Sequence, residues 1–308
     1  MIWPVPSRED ISRISSDHIL FPSPTMVIMR LIRKGKAKDI YQLDNGNLLF
    51  DFSDRVSAFD IQMVNTVPMK GEVLCKFSEF WFNSLDTRHH MIKAHNKNKM
   101  EVKRLEMIPI ECVVRGYMYG SLYERLRKST DDENISSDNF RPTKASRLPH
   151  PVFDPTTKSE EHDVPVKRDD VVGSGLISAV DFDYLEQTSI SLYNKMSDIV
   201  EKRGFIIADV KFEFGRDPVK GNILLGDSVG PDEFRLWLRA DYSPGRDQES
   251  FDKQLLRDWL IRTGFKDNVD NSIKNGVKVI PPVIPYSLLN ELTRRYIWAF
   301  EKITDKKM

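Results

Sequence analysis

The sequence predicts an α+β protein with a β-rich first third and a larger mixed remainder. Three observations carry this prediction. Between residues 30 and 52, short apolar segments alternate with turn residues. Residues 72–86 and 184–203 repeat apolar side chains at helical spacing. Residues 207–215, IADVKFEFG, alternate charged and apolar side chains as a strand does.

Composition sets the outer bounds. The 308 residues are enough for about two domains and a substantial core. With 46 basic and 46 acidic residues, the chain offers no support for a nucleic-acid or membrane-surface partner. No apolar run approaches the ~18 residues of a membrane-spanning helix. The start, MIWPVP, lacks the basic region and long apolar stretch of a secretory signal. Cys75 and Cys112 are the only cysteines and form no C-x-x-C pair. That argues against a disulfide framework or a Cys-rich zinc site and fits a reducing cytoplasm.

Taken in order, residues 1–28 are rich in Pro and Ser and read as an N-terminal extension. Leu31–Lys34 and Asp39–Leu43 flank the turn GKAK, and Asn45-Gly46 turns the chain into a third strand at Asn47–Phe52. Residues 72–86, EVLCKFSEFWFNSLD, read as one amphipathic helix. Val102–Leu105 and Ile110–Arg115 read as buried strands around Ile108-Pro109, with Cys112 a small core residue. Ser121 is expected to open a helix, with Glu124 as a capping-box partner. Residues 128–150 are polar and aperiodic and read as a long loop. A helix over Tyr184–Arg203, strands at 205–214 and 222–227, and helices near 251–263 and 286–304 complete the pattern. The expected organisation is an extension at 1–28, a β-rich lobe at 29–110 and a mixed α/β lobe at 111–308. A cleft between two such lobes suits a nucleotide.

The strand at 207–215 is the richest in chemistry. Asp209, Lys211 and Glu213 would project from one face, while Val210, Phe212 and Phe214 turn into a core. Two carboxylates around an ammonium suit a divalent metal and a phosphate chain. A solvated face with ion pairs worth about 0–1 kcal/mol each is the other reading. Asp227 lies on the strand that follows, so antiparallel pairing would let Glu213 and Asp227 converge on one hard cation. Mg²⁺ accepts one or two carboxylates plus waters and phosphates, and no His-rich or Cys-rich ligand set competes for zinc.

Other segments carry weaker signals. The turn Gly35-Lys36-Ala37-Lys38 could hold phosphates through backbone amides and ammonium groups, or be an exposed basic hairpin. In IECVVRGYMYGS a buried strand delivers Arg115 to its end, and Ser121 stands where a helix N-terminus would attract an anion or simply be capped. Asp232-x-x-Arg235 and Asp252-Lys253-x-x-x-Arg257 have the spacing of helix-surface pairs. Lys158 precedes Glu160-Glu161-His162-Asp163, which by itself reads first as a solvated acidic helix start. The adjacent His89 and His90 read as surface residues.

Together and in order, RKGKAKDIY, FSDRVSAFD, IPIECVVRGYMYGS, LPHPVFDPTTKSEEHD, IIADVKFEFG, PDEFRLW and SFDKQLLRDWL resemble the phosphoribosylaminoimidazole-succinocarboxamide synthase (SAICAR synthetase) family. The resemblance covers about residues 30–304. It implies a two-lobed fold related to ATP-grasp and kinase-like nucleotide binders, with ATP in the cleft and Mg²⁺ as cofactor. It implies a cytoplasmic ligase of purine biosynthesis, joining the carboxylate of carboxyaminoimidazole ribonucleotide (CAIR) to the amine of L-aspartate through an acyl phosphate. Kinase-type H-R-D and D-F-G segments are lacking. Whether the chain is a monomer or a homo-oligomer is not legible in the sequence.

Residue by residue, the resemblance gives Lys36, Ala37 and Lys38 to the ATP phosphates and the stretch Met107–Glu111 to the adenine. It gives Glu213 and Asp227 to the metal, and Lys211, Asp209 and Arg115 to the catalytic centre. Arg115, Ser121, Lys158, His162, Asp163, Asp232, Arg235, Lys253 and Arg257 fall to the substrates. Two positions depart from the family pattern G-D-E-x-x-P-D-[SG]-S-R: Ser228 replaces an acid, and Phe234 replaces the hydroxyl before the arginine.

Overall fold

A computed structural model describes residues 29–128, 143–158 and 164–308. The chain begins with β1 (Arg30–Lys34), β2 (Lys38–Gln42) and β3 (Leu48–Phe52), then β4 (Arg55–Ala58), β5 (Ile61–Thr66) and α1 (Lys70–Ser84). Next come β6 (Met91–His95), β7 (Lys99–Val102), β8 (Glu106–Tyr117), α2 (Gly120–Lys128), β9 (Arg147–Phe153) and β10 (Thr156–Thr157). The remainder is α3 (Arg168–Gly173), α4 (Ala179–Glu201), β11 (Phe205–Arg216), β12 (Ile223–Leu225), β13 (Phe234–Leu238), α5 (Gln254–Arg262), α6 (Phe265–Lys274) and α7 (Tyr286–Thr304). The α+β class is as the sequence predicts.

Two sheets frame the molecule. The first has five strands in the order β1-β2-β3-β7-β6, with β4-β5 as a separate hairpin. The second runs β10-β8-β11-β12, with β9 paired to β8 and β13 paired to β11. Helix α4 packs on β8, β9 and β11. Cys112, opposite Phe212 in the β8–β11 register, is fully buried, on the face against which α4 packs. Phe212 therefore faces the helix, and alternation sends Asp209, Lys211 and Glu213 to the other face. The core below them is continuous, running from Phe50 through Phe77 and Phe214 to Phe300. No helix among the described residues is long and apolar enough to cross a membrane.

Several boundaries differ from expectation for local reasons. Helix α4 starts five residues early because Ser178 caps it, its Oγ accepting from the Asp181 amide at 3.1 Å. Strand β8 is unbroken from Glu106 to Tyr117, so a division at residue 110 passes through it. Pro109 is tolerated there because it falls beside a bulge in the β8–β11 register. Residues 129–142 of the expected loop lie outside the described residues, and its last part is strand β9. Strands β4, β5, β6 and β13 are short and lack a clear period, so the pattern of residues does not mark them; α6 does carry apolar residues at helical spacing, Phe265, Val269 and Ile273, but only three in ten residues, and is not among the expected helices.

The two sheets are stitched together by the segment after α1. The amide of His90 donates to Leu225 O at 3.0 Å and the amide of Leu225 to Arg88 O at 2.9 Å. His90 is thus buried at 3% exposure, not a surface residue. Backbone pairing with β12 draws it inward, which its position past a helix end does not reveal.

Candidate active site

The site is a band of charge between the sheets, and it begins with the glycine turn. The Gly35 amide donates to Lys38 O at 2.9 Å, and a Cβ at Gly35 would meet that oxygen at 2.7 Å. The turn thereby closes tightly and aims Lys38, whose side chain is 10% exposed, toward the second sheet. Its Nζ lies 2.6 Å from Asp227 Oδ1 and donates to Ser228 Oγ at 3.0 Å. Lys36 instead pairs with Asp60 at 2.7 Å on the exposed side, and Ala37 O accepts from Ser53. The sequence groups these three; the structure brings Lys38 alone into the band.

Asp227 is two residues past β12, in the left-handed region at φ 53°, and not on the strand as expected. The turn is pinned by His90 Nε2, 3.0 Å from Asp227 O, and by the Gly226 amide donating to Glu213 O at 2.8 Å. Glu213 and Asp227 are therefore neighbours. Lys158 donates to Glu213 Oε2, and Lys211 donates to Glu213 Oε1 at 3.3 Å and to Glu111 Oε1 at 2.6 Å. Met107 lies over the Gly215–Gly226 seam, its Cε 3.4 Å from a Cβ position on Gly226.

The charges in this group push one another apart. Burial and Asp227 raise the Glu213 carboxyl above its ordinary range. Burial acts the same way on Asp227, but Lys38 and Lys158 overcome it and hold that carboxyl well below the usual range. Burial opposes charge on Lys211, yet Glu213 and Glu111 outweigh it and raise its pKa. A buried carboxylate and a half-buried one, both hard oxygen donors paired to ammonium groups, fit a divalent cation. Lysines released from them could then turn to the phosphates.

Farther along β11, Asp209 is flanked by arginines from both neighbouring strands, because the register sets it opposite Arg115 on β8 and Arg235 on β13. Arg115 Nη1 donates to Asp209 Oδ2 at 3.2 Å, and Arg235 Nη1 pairs with the same oxygen. Arg115 also donates from Nε to Asp154 Oδ2 at 2.6 Å and from Nη2 to Ser121 Oγ at 2.8 Å. Ser121 is therefore a partner of Arg115 rather than a cap, since α2 already begins at Gly120, and Glu124 pairs with Arg127 instead. Gly120 has φ 62°, and a Cβ there would meet the Arg235 guanidinium at 2.9 Å, so only glycine fits.

The third group joins α1, β13 and α5. Asp232 Oδ2 lies 2.7 Å from Lys70 Nζ and 3.8 Å from Lys253 Nζ, while Oδ1 accepts from Tyr296 at 3.3 Å. Asp252 accepts from the amides of Leu236 and Gln254 at 2.7 and 2.6 Å. Neither acid makes the helix-surface pair that its spacing predicts, because both precede their elements and turn inward. Burial, with Arg257 and Lys70 adding to it, lowers Lys253 to about 8. The Arg257 guanidinium has no hydrogen-bond or ion-pair partner among the described residues, and burial and Arg235 lower its pKa. This corner can take an anion.

Four residues of the site carry no sequence signal of their own: Asp154, Lys70, His90 and Glu233. Asp154 sits in the FDPTTK segment, where nothing local points to its pairing with Arg115. Glu233 lies in PDEFR, and burial together with Asp232 raises its carboxyl to about 8. Phe234 points into the core, edge-on to Phe77 with centroids 5.7 Å apart, so this replacement faces away from the polar band. His162 and Asp163 lie outside the described residues.

Known proteins similar to this chain share one description. A sequence model described as SAICAR synthetase matches residues 31–272. The chain is 48% identical over 280 residues to the phosphoribosylaminoimidazole-succinocarboxamide synthase of Nitrosopumilus maritimus (strain SCM1), covering 91% of this chain and 100% of that one. It is 36% identical over 310 residues to the enzyme of the same name from Saccharomyces cerevisiae, covering 91% and 96%. Among solved structures it is similar to a SAICAR-synthase from Saccharomyces cerevisiae complexed with SAICAR, with TM-score 0.78, 30% identity and coverage of 96% and 99%. It is also similar to a type-2 SAICAR synthetase in complex with ADP, with TM-score 0.68, 26% identity and coverage of 90% and 98%.

Proposed function

The chain belongs to the SAICAR synthetase family, and from that premise we propose that it joins the carboxylate of CAIR to the amine of L-aspartate, converting ATP to ADP and phosphate, in a reducing cytoplasm. The observation that carries the reading is the Lys38–Asp227 ion pair beside Glu213, which sets cationic and anionic groups against each other at the seam of the sheets. It is the arrangement a metal–nucleotide phosphate chain needs.

A carboxylate is a poor electrophile, so the route begins with phosphorylation of CAIR, and the aspartate amine then attacks the acyl phosphate. Glu213 and Asp227 would hold Mg²⁺, which would supply neutralisation of charge on the transferring phosphate. Lys38, Lys158 and Lys211 take phosphate oxygens as they leave those carboxylates. Met107–Glu111 lines the adenine. Asp209, clamped by Arg115 and Arg235, keeps the substrate floor rigid, and Lys253 with Arg257 receives substrate carboxylates or phosphate. Residues 29–110 form the nucleotide lobe and 111–308 the substrate lobe, with β8 shared between them.

The test is product formation from CAIR, Mg-ATP and L-aspartate, with each reactant omitted in turn. An aspartate adduct is expected only with all three, with one ADP per adduct. ADP release without aspartate, accompanied by a stable phosphoester, would overturn the ligase reading.

A further inference from the structure

Hydrogen bonds hold Arg235 less firmly than its neighbour Arg115. Its Nη1 pairs with Asp209, its Nε reaches Gln254 Oε1 at a long 3.4 Å, and its Nη2 has no hydrogen-bond partner among the described residues. Arg115 instead makes three directed bonds, to Asp154, Asp209 and Ser121. A guanidinium with one strong pairing is less defined in orientation than a fork held at several points. Something else must fix the plane in which Nη2 is presented.

Tyr119 supplies that restraint. It lies two residues past the end of β8, and the left-handed turn at Gly120 brings both residues against Arg235. The Arg235 guanidinium carbon is 5.5 Å from the centre of the Tyr119 ring, within range of a cation–π contact. The ring is itself fixed. Trp237 meets it edge-on with centroids 5.2 Å apart, and its hydroxyl donates to Asp247 Oδ1 at 2.8 Å. The Asp247 side chain is 68% exposed, yet the same oxygen pairs with Lys144 at 2.5 Å. The Gly245 amide donates to Lys144 O at 2.7 Å, so the loop after β13 is braced beside the ring. A phenylalanine would fill the same space; the hydroxyl adds the tie to Asp247.

We propose that Tyr119 is a positioning residue for Arg235: its ring, tied through its hydroxyl to Asp247, fixes the guanidinium plane so that Nη2 faces a substrate anion. This rests on the reading above, in which Arg235 belongs to the substrate floor.

The test is steady-state kinetics with CAIR and L-aspartate each varied, beside urea denaturation. Tyr119→Leu removes the ring and is expected to raise KM for one of the two substrates roughly three- to tenfold, as for loss of one cation–π contact, with kcat within about twofold of the wild type. In an Arg235→Lys background the same substitution is expected to add no further rise, because the fork that the ring orients is gone. Should Tyr119→Leu fold poorly, Asp247→Ala makes the test from an exposed position. There the same KM is expected to rise about two- to threefold, and not in a Tyr119→Phe background, where the hydroxyl is already missing. A lower urea midpoint for Tyr119→Leu with unchanged KM values would make the tyrosine a packing residue and overturn the proposal. An equal rise in KM in the Arg235→Lys background would overturn it too. A rise for Asp247→Ala that persists in the Tyr119→Phe background would overturn the tie through the hydroxyl. Wild-type KM values for both substrates in Arg235→Lys would overturn the substrate-floor reading itself.

Discussion

Lys38 and Asp227 meet at 2.6 Å across the seam between the two sheets, the first from a glycine turn and the second from a left-handed residue after β12. Lys38 is buried and Asp227 half-buried, and Asp227 is the one carboxylate in ion-pair contact with Lys38 among the described residues. The pair therefore couples the nucleotide side of the cleft to the strand that carries Glu213, and a ligand that separates them must replace both partners.

Asp227→Asn removes a metal ligand while keeping the backbone, because Asn also tolerates positive φ. Turnover at saturating Mg²⁺ is expected to fall on the order of 100-fold, with the far-UV circular dichroism unchanged. Normal Mg²⁺ dependence in this variant would remove Asp227 from the metal site.

Arg115→Lys cannot reproduce three directed bonds to Asp154, Asp209 and Ser121. Removing a partner from such a buried network is expected to cost about 3–5 kcal/mol in urea denaturation. A variant of unchanged stability and lost activity would make Arg115 a substrate contact instead.

Arg257→Gln should behave in the opposite way. With no hydrogen bond or ion pair to a described residue to lose, stability is expected to fall by about 1 kcal/mol, well short of the Arg115 loss. The KM for CAIR or L-aspartate is expected to rise roughly 10- to 100-fold, as when a charged hydrogen bond to an anion is lost. Unchanged KM values for both substrates would remove Arg257 from the substrate corner.

His90 makes stability depend on pH. Burial, against weaker support from Asp227, lowers its pKa from 6.5 to about 4. Between those values the unfolded chain holds a proton that the folded one does not, so folding weakens as pH falls through that window. The loss attributable to His90 is on the order of 3 kcal/mol. In His90→Gln, urea midpoints from pH 6.5 to 4 are expected to fall less steeply than in the wild type; equal slopes would mean that other groups carry the effect.

Much of the architecture is legible in the sequence because it is local. The 3.6-residue period marks α4 and α7, and Asn45-Gly46 marks the β2–β3 hairpin. Short elements are harder to read: β13 has five residues and no clean alternation, and α6 spaces Phe265, Val269 and Ile273 as a helix does but over ten residues only. At the site, alternation along β11 is enough to place Asp209, Lys211 and Glu213 on one face. Partners are another matter. Nothing near Arg115 in the chain points to Asp154, and nothing near Asp232 points to Lys70.

The sequence by itself determined the family, the class of fold and the strand face that bears the charges, because motif order and side-chain alternation are properties of neighbouring residues. Only the tertiary structure decided that Lys38 enters the band while Lys36 stays outside, and that Arg115 is saturated while the Arg257 guanidinium is not. Ion pairs and hydrogen bonds form at about 3 Å, and which groups come that close depends on how distant segments pack.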